Sequence, residues 1–401
     1  MIKRTLEASF SPLRFPHFRV LWLTFVLSNT AMWMFDTTAT LYLVESGASP
    51  LEIALVQTAS ALPVFMLGLP SGALADLVCR RRLYLIAQVA LFVGAAFAFV
   101  LMQNSIVSTT LILFCVFFYG LGFALRWPAY ASLVPSVLPL SQLQQAFALN
   151  SLAMNFARIL GPVIAGWTFV RFSPDITFLV VALISLLSFW LVRKSDIPSN
   201  TPKFSFGRVI PAIKEGIGIC FMNEVVRKIL VLIFVFFFSG ISTIALAALI
   251  GAYWLPSIPL SYSFLLSSMG LGAIVSVLAL PKLRESFSST SLIRYSLTIQ
   301  GLLIGSLYFV RQDALLFLIF FLSGLFWVCV VSILTVSIQT ALQNEYRARG
   351  MSIYQICIMG GSAIGAGVWG SITTTFGLDI AFLISGISVL TCLFLKYPEV
   401  K

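Results

Sequence analysis

Three charged side chains stand inside long apolar stretches of this 401-residue chain: Asp36, Arg126 and Arg158. A carboxylate or guanidinium in hydrocarbon is costly enough that each is a functional candidate by default. Asp36 can bind and release a proton, and Arg158 can serve as its counter-charge. Counted from the ends of their apolar runs at about 1.5 Å per residue, the two differ in depth by about 6 Å, so a pair is expected. Burial and a nearby arginine would then oppose each other in setting the protonation of Asp36, and proton and substrate would compete. The alternative is a fixed ion pair that only holds two helices together. Arg126, in Arg126-Trp127-Pro128, lies at a different depth. It can bind an anionic substrate, or it can snorkel and cap backbone carbonyls that Pro128 frees.

Other chemistries find little support. Six cysteines, Cys79, Cys115, Cys220, Cys329, Cys357 and Cys392, are scattered without paired spacing, and the single histidine, His17, is near the N-terminus. Neither a disulfide framework nor a metal site is expected. No nucleophile and base pair or phosphate loop is visible, so an enzyme is the least favoured class and no cofactor is expected.

The elements that position the three charges are membrane helices. With 59% hydrophobic and 10% charged residues and a mean hydropathy of +1.01, the chain has too little polar surface to coat a soluble globule. Apolar runs long enough to cross about 30 Å of hydrocarbon fall at 18–44, 51–75, 83–103, 108–134, 142–170 and 175–192. Six more follow at 226–251, 259–281, 291–310, 313–338, 349–371 and 376–396. The pattern predicts an all-α membrane protein of twelve transmembrane helices.

The two sets of six are related. A shift of 204 residues lays Gly68 on Gly272, Arg80 on Arg284, Gly161 on Gly365, Gly166 on Gly370, Asp175 on Asp379 and Phe178 on Phe382. Two pseudo-symmetric six-helix bundles are therefore expected, over 1–192 and 226–401, joined by a cytoplasmic linker over 193–225. Such repeats place a transport site at the seam between halves. In the linker, Phe206, Ile210, Ile213 and Ile217 recur at helical spacing beside Arg208 and Lys214. Either a short helix on the inner leaflet or a solvated connector would fit.

A net charge of +11 could indicate a nucleic-acid binder, but 21 of the 25 basic residues fall in the inner segments, at or between the inner ends of the spans, if the N-terminus is cytoplasmic. That is the positive-inside pattern, with both termini cytoplasmic and no nucleic-acid partner. The first 17 residues are polar and the apolar run after them is too long for a signal-peptide core, so the first span is expected to stay.

Two local motifs sharpen the assignment. Gly72-Ala73-Leu74-Ala75-Asp76 runs into Arg80-Arg81-Arg82 after the second span. A glycine there permits close helix packing, while the arginines offer partners to the Asp76 carboxylate and to lipid phosphates. The segment resembles the signature loop of the major facilitator superfamily, although Leu77 and Cys79 replace residues usual to that pattern. A gate-locking cluster is one reading of it; a purely topological role for the arginines is the other. In the fifth span, Asn150, Asn155 and Arg158 precede Gly161-Pro162-Val163-Ile164-Ala165-Gly166. This resembles the superfamily's antiporter motif, with Trp167 in place of a second terminal glycine, and favours export; plain close packing is the alternative.

Together with Ser28-Asn29, Trp33, Ser49-Pro50, Val56-Gln57, Leu62-Pro63, Trp254-Leu255-Pro256, Gly270 to Gly272 and Arg347 to Gly370, these motifs make nearly the whole chain similar to the transmembrane secretion effector family. That family is a major facilitator branch that includes siderophore and macrolide exporters. The resemblance implies the major facilitator fold, proton-driven efflux of the multidrug-resistance kind, and a bacterial cytoplasmic (inner) membrane location.

The repeat register sets Gly240 opposite Asp36 and Ser362 opposite Arg158, so ion coupling is expected in the first half. The second half would supply cavity surface through Trp327, Tyr354 and Gln355, facing Asn29, Trp33, Gln57 and Tyr119. Each aromatic taken alone is better explained by core or interface-belt packing. As a set they indicate an amphipathic small-molecule substrate, handled with protons and membrane lipids as partners by a monomer. The readings left open are a proton-coupled exporter, a lipid or ferric-siderophore transporter, and a non-transporting membrane receptor.

Overall fold

The computed structural model describes residues 10–104, 107–198, 218, 220, 222–257, 260–343 and 346–395, and among them every regular element is helical. The long helices are α1 (Pro16–Glu45), α2 (Pro50–Leu77), α3 (Arg80–Gln103), α4 (Thr109–Val137), α5 (Leu143–Arg171) and α6 (Pro174–Lys194). They continue as α7 (Glu224–Gly240), α8 (Ser242–Ala245), α9 (Ala247–Trp254), α10 (Ser261–Ser286), α11 (Ser289–Ser306), α12 (Asp313–Ala341), α13 (Arg347–Phe376) and α14 (Leu378–Thr391). The side chains of 69, 71–77 and 348 lie outside the described set.

Local sequence explains where these helices begin. Pro16, Pro50 and Pro174 open α1, α2 and α6, where a missing N–H has no cost and φ is already helical. Ser49 and Glu52 form a reciprocal capping box at α2: the Ser49 amide donates to Glu52 Oε2 at 2.8 Å and the Glu52 amide to Ser49 Oγ at 3.3 Å. Ser108, Asn223 and Ser288 cap α4, α7 and α11.

Among the described residues, ten helical stretches are long and apolar enough to cross a membrane, counting α7 to α9 as one. The sequence reading expects twelve. The two that fall short are α11, whose 18 residues carry Arg294, Gln300 and several serines, and α14, a helix of 14 residues extended by the turn Cys392–Phe394. Both are buried on one face, through Leu297 and Ile304 on α11 and Phe382 and Val389 on α14.

Contacts divide the chain into two compact units: Met1–Ala39 with Pro70–Arg208, and Thr40–Leu69 with Val209–Lys401. In the first, α3 packs on α4 and α6. A core of Phe18, Leu21, Phe25, Tyr84, Tyr130 and Leu133 fills the end nearest Pro16. Polar atoms within it pair off: Thr24 shares a 2.9 Å hydrogen bond with Tyr84, Gln88 donates to Ser28 at 3.0 Å, and Tyr130 donates to Asn150 at 2.8 Å.

In the second unit α10 packs on α12, α7 on α13 and α11 on α14. Serines stitch α7 and α8 to α14, with Ser239 to Ser388 at 2.7 Å and Ser242 to Ser385 at 2.6 Å. Residues 40–69 belong here because α2 lies against α13. Thr58 donates to the Ala363 carbonyl at 2.7 Å, and the Leu51 amide to Thr374 Oγ1 at 3.1 Å.

The 204-residue repeat is written into packing. A Cβ on Gly161 of α5 would overlap the Trp33 Cβ of α1, with the Thr30 carbonyl 3.0 Å away. Its repeat mate Gly365 on α13 meets the Phe238 carbonyl of α7 in the same way, and Phe238 is the register mate of Met34, the next residue on α1. Glycine is required at both because the neighbouring backbone occupies the space of a side chain.

Candidate functional site: a buried charge cluster in the first unit

The candidate site is built on α1, α4 and α5. Asp36 is 6% exposed in the C-terminal half of α1, flanked by buried Phe35, Thr37 and Thr38. Phe35 stacks on Tyr119 of α4 with ring centroids 4.3 Å apart and planes 5° from parallel, and Phe178 of α6 closes on its edge at 4.9 Å. Tyr119 is buried within electrostatic reach of both Asp36 and Arg126.

Arg126 does not snorkel: its exposure is 0%. Nε, Nη1 and Nη2 all lack a hydrogen-bond partner among the described residues. Two aromatic faces hold the cation instead, Phe123 at 4.7 Å and Phe25 at 5.5 Å to the ring centroids. Cation–π contact is worth about 2 kcal/mol per desolvated ring. Taking a charge out of water costs several kcal/mol even after relaxation. The deficit leaves Arg126 a buried cation whose donors are unmatched among the described residues.

Arg158 takes a position the sequence does not foretell. Its guanidinium lies 5.7 Å from the Trp33 ring centroid, and it makes no ion pair among the described residues. The expected pairing with Asp36 is thus replaced by a cation–π contact. Gly161 sets α5 level with Trp33; Arg158 is three residues before that level and Asp36 three residues beyond Trp33.

Of the other anticipated residues, Asn29 is 4% exposed and donates to the Phe25 carbonyl at 2.6 Å. Gln57 is half-buried on α2. Trp327 is caged by Phe236 and Phe237, each 4.9 Å between centroids, with its ring 2.7 Å from where a Cβ on Gly240 would be. Tyr354 is buried, donating to the Val331 carbonyl at 3.4 Å and accepting from Thr335 at 3.2 Å, while Gln355 is half-buried. Gly161, Pro162 and Gly166 are buried on α5.

The loop motif is described only in part. Helix α2 runs through Leu77, but the side chains of Gly72 and Asp76 are outside the described residues. Arg80 donates to the Ser132 carbonyl at 3.2 Å, and Arg81 to those of Val192 at 3.3 Å and Arg193 at 2.8 Å. Arg81 thereby satisfies the C-terminal carbonyls of α6. Most of the linker, including the spacing over 206–217, is likewise outside the described set.

Sequence reasoning missed the supporting shell: Phe25, Phe35, Phe123, Tyr130, and the pairs Thr24 with Ser28 and Tyr84 with Gln88. The last two were available signals. Polar residues four apart share a helix face, and two such faces in consecutive odd spans invite pairing.

Comparison with known proteins locates the arrangement. The family described as transmembrane secretion effector matches residues 7–399. The chain is 21% identical over 344 residues to the staphyloferrin A transporter of Staphylococcus aureus, covering 84% of this chain and 85% of that protein. It is 27% identical over 178 residues to an uncharacterised MFS-type transporter of Bacillus subtilis, of whose length it covers 40%. A Na(+), Li(+), K(+)/H(+) antiporter of Planococcus maritimus is 28% identical over 41% of this chain and 38% of its own length. The fold is shared with solved transporters: a nucleoside transporter at TM-score 0.74 and 12% identity over 93% of this chain and 98% of that one, and a peptide transporter at TM-score 0.75 and 16% identity over 94% and 93%.

Proposed function

This chain belongs to the transmembrane secretion effector family of major facilitator transporters, and from that premise we propose that it is a proton-coupled exporter of an amphipathic small molecule, a siderophore or macrolide-like compound, working by alternating access. The observation that carries the reading is Asp36, an acid buried in an apolar span, with Tyr119 in electrostatic reach both of it and of Arg126, whose guanidinium has no hydrogen-bond partner among the described residues. Protonated, Asp36 is a neutral hydrogen-bonding group; ionised, it supplies the counter-charge that Arg126 lacks. An anionic group of the substrate at Arg126 would compete with that ionised form. Exchange of a proton for cargo then changes the charge of one cluster, which can bias the unit between two packings. In this reading α11 and α14 complete twelve crossings, the termini are cytoplasmic, and Asn29, Trp33, Gln57, Trp327, Tyr354 and Gln355 contribute to the substrate path. Gly161, Pro162 and Gly166 supply the bend of an antiporter helix, and Arg158 on Trp33 tunes it rather than exchanging the proton.

The staphyloferrin A transporter and the cation/proton antiporter among the relatives support, respectively, a siderophore-like cargo and proton exchange. The test is substrate-driven proton release in proteoliposomes. The wild-type chain should release protons as substrate moves, and Asp36→Asn should move substrate without them or not at all. Unchanged stoichiometry in Asp36→Asn removes Asp36 from the mechanism. Secreted metabolites of a deletion strain under iron limitation identify the cargo, and flux direction in everted vesicles separates export from uptake of a ferric siderophore or movement of lipid.

A further inference from the structure

A second concentration of charge stands apart from the Asp36 cluster, where the start of α3 meets the end of α6. There a cavity of about 530 Å³ is lined by Cys79, Arg81, Arg82, Leu85, Arg193 and Ile197. Three guanidinium groups and no carboxylate are among these lining residues. Arg81 is already committed, since it donates to the last carbonyls of α6 and so cancels the negative end of that helix dipole. Arg82 and Arg193 are both exposed. They add to the positive N-terminal end of α3, and the charge left over faces the cavity.

The surroundings place this cavity at headgroup depth. Arg80 and Lys194 are the first and last residues of two candidate membrane spans. One turn inside, Trp190 is 52% exposed and carries Lys194 over its ring at 4.9 Å, while Arg193 lies over Phe189 at 5.9 Å. Exposed tryptophan under a basic side chain is the composition of a membrane–water interface. Leu85 and Ile197 give the cavity an apolar wall. The ligand that fits is an anion with a phosphate that guanidinium forks can grip and an apolar body that continues into hydrocarbon.

Charge topology alone does not require the cluster. The 204-residue register lays Arg80, Arg81 and Arg82 on Arg284, Glu285 and Ser286, so the second half keeps one arginine of the three and adds an acid. We propose that the cavity is a binding site for the phosphodiester headgroup of an anionic phospholipid, gripped by Arg82 and Arg193, with Arg81 holding α3 to α6 beneath it. The site is separate from Asp36 and does not depend on what the protein transports.

The experiment uses the full chain purified in detergent, exposed to mixed micelles of phosphatidylglycerol or phosphatidylcholine, with retained lipid counted by native mass spectrometry. The wild-type chain should retain phosphatidylglycerol in preference to phosphatidylcholine. Arg82→Gln should reduce that retention about fivefold and the double variant with Arg193→Gln about thirtyfold, the effect of about one and two interfacial arginines. Arg81 is left in place so that the α6 cap survives, and helical content by circular dichroism checks the fold. Inorganic phosphate at millimolar concentration should not displace the lipid. Equal retention of the two lipids, unchanged retention in the double variant, or displacement by phosphate alone overturns the proposal, the last by assigning the cavity to a free anion.

Discussion

Laid over one another by the repeat, the two halves have similar glycine-mediated packing and opposite chemistry. Asp36, Tyr119, Arg126 and Arg158 of the first half correspond to Gly240, Ser323, Val330 and Ser362 of the second. Helix α1 runs unbroken for 30 residues through Asp36, whereas its counterpart stops at Gly240 and resumes as α8 and α9. Where the first half holds a carboxylate, the second admits the ring of Trp327. A duplicated scaffold has thus kept the contacts that make a bundle and, among the described residues, holds its buried charges in one copy. Packing and charge are separable in this fold: the facing helix occupies the side-chain space of Gly161 and Gly365 alike, while the register mates of Asp36, Arg126 and Arg158 carry no charge.

The largest expected effect tests that separation. In proteoliposomes, Asp36→Asn should lower proton-gradient-driven flux by at least about 100-fold, the scale of a lost proton-transfer group. Ser362→Ala in the second half should leave flux within about twofold, since its hydroxyl only returns to the Ile358 carbonyl of its own helix. Comparable losses from both would break the asymmetry.

Next come the glycines. Gly161→Leu and Gly365→Leu each drive a side chain into the backbone or Cβ of the facing helix, and each should destabilise by about 3 kcal/mol or more. A thermal-shift series in detergent would show it, and a large loss at one site only would mean that the two crossings are not equivalent.

Arg126 offers a sharper contrast. Replacing a buried, hydrogen-bond-free guanidinium with an apolar side chain of similar length removes its desolvation cost, so Arg126→Met should raise stability by about 1–4 kcal/mol while abolishing transport. Arg126→Lys keeps the charge but loses the planar stack on Phe123 and should also fail to transport. A destabilised Arg126→Met would show that the cation holds the bundle together.

The smallest effect concerns Gln300 of α11, fully buried with neither amide atom hydrogen-bonded among the described residues. Gln300→Leu should be neutral or stabilising by about 1 kcal/mol, with transport intact. Loss of transport would place a working polar group in the half assigned to packing.

Much of this was legible in advance. Most helix positions followed from run lengths, although the Ser49–Glu52 capping box that starts α2 at Pro50 was seen only in the structure. Two of the twelve expected spans, α11 and α14, fall outside the ten long apolar stretches because serines, Gln300 and a short apolar run dilute the hydropathy that longer helices carry. Asp36 and Arg126 were visible as charges out of place. Their neighbours were not: an aromatic such as Phe35 or Phe123 has no signature that separates a charge-caging ring from one among many lipid-facing or core rings.

What the sequence by itself determined is the membrane class, the repeat and the identity of the buried charges, because all three are properties of residue type and spacing along one dimension. Which charges meet was decided only by the tertiary structure. Depth counting allowed Asp36 and Arg158 a pair, but the axial register between α1 and α5 depends on where Gly161 lets the backbones touch. That contact sets Arg158 on Trp33, while Tyr119, from a third helix, is within electrostatic reach of both Asp36 and Arg126. Register between helices is a balance of local volumes across an interface, and a linear string of residues carries no direct record of it.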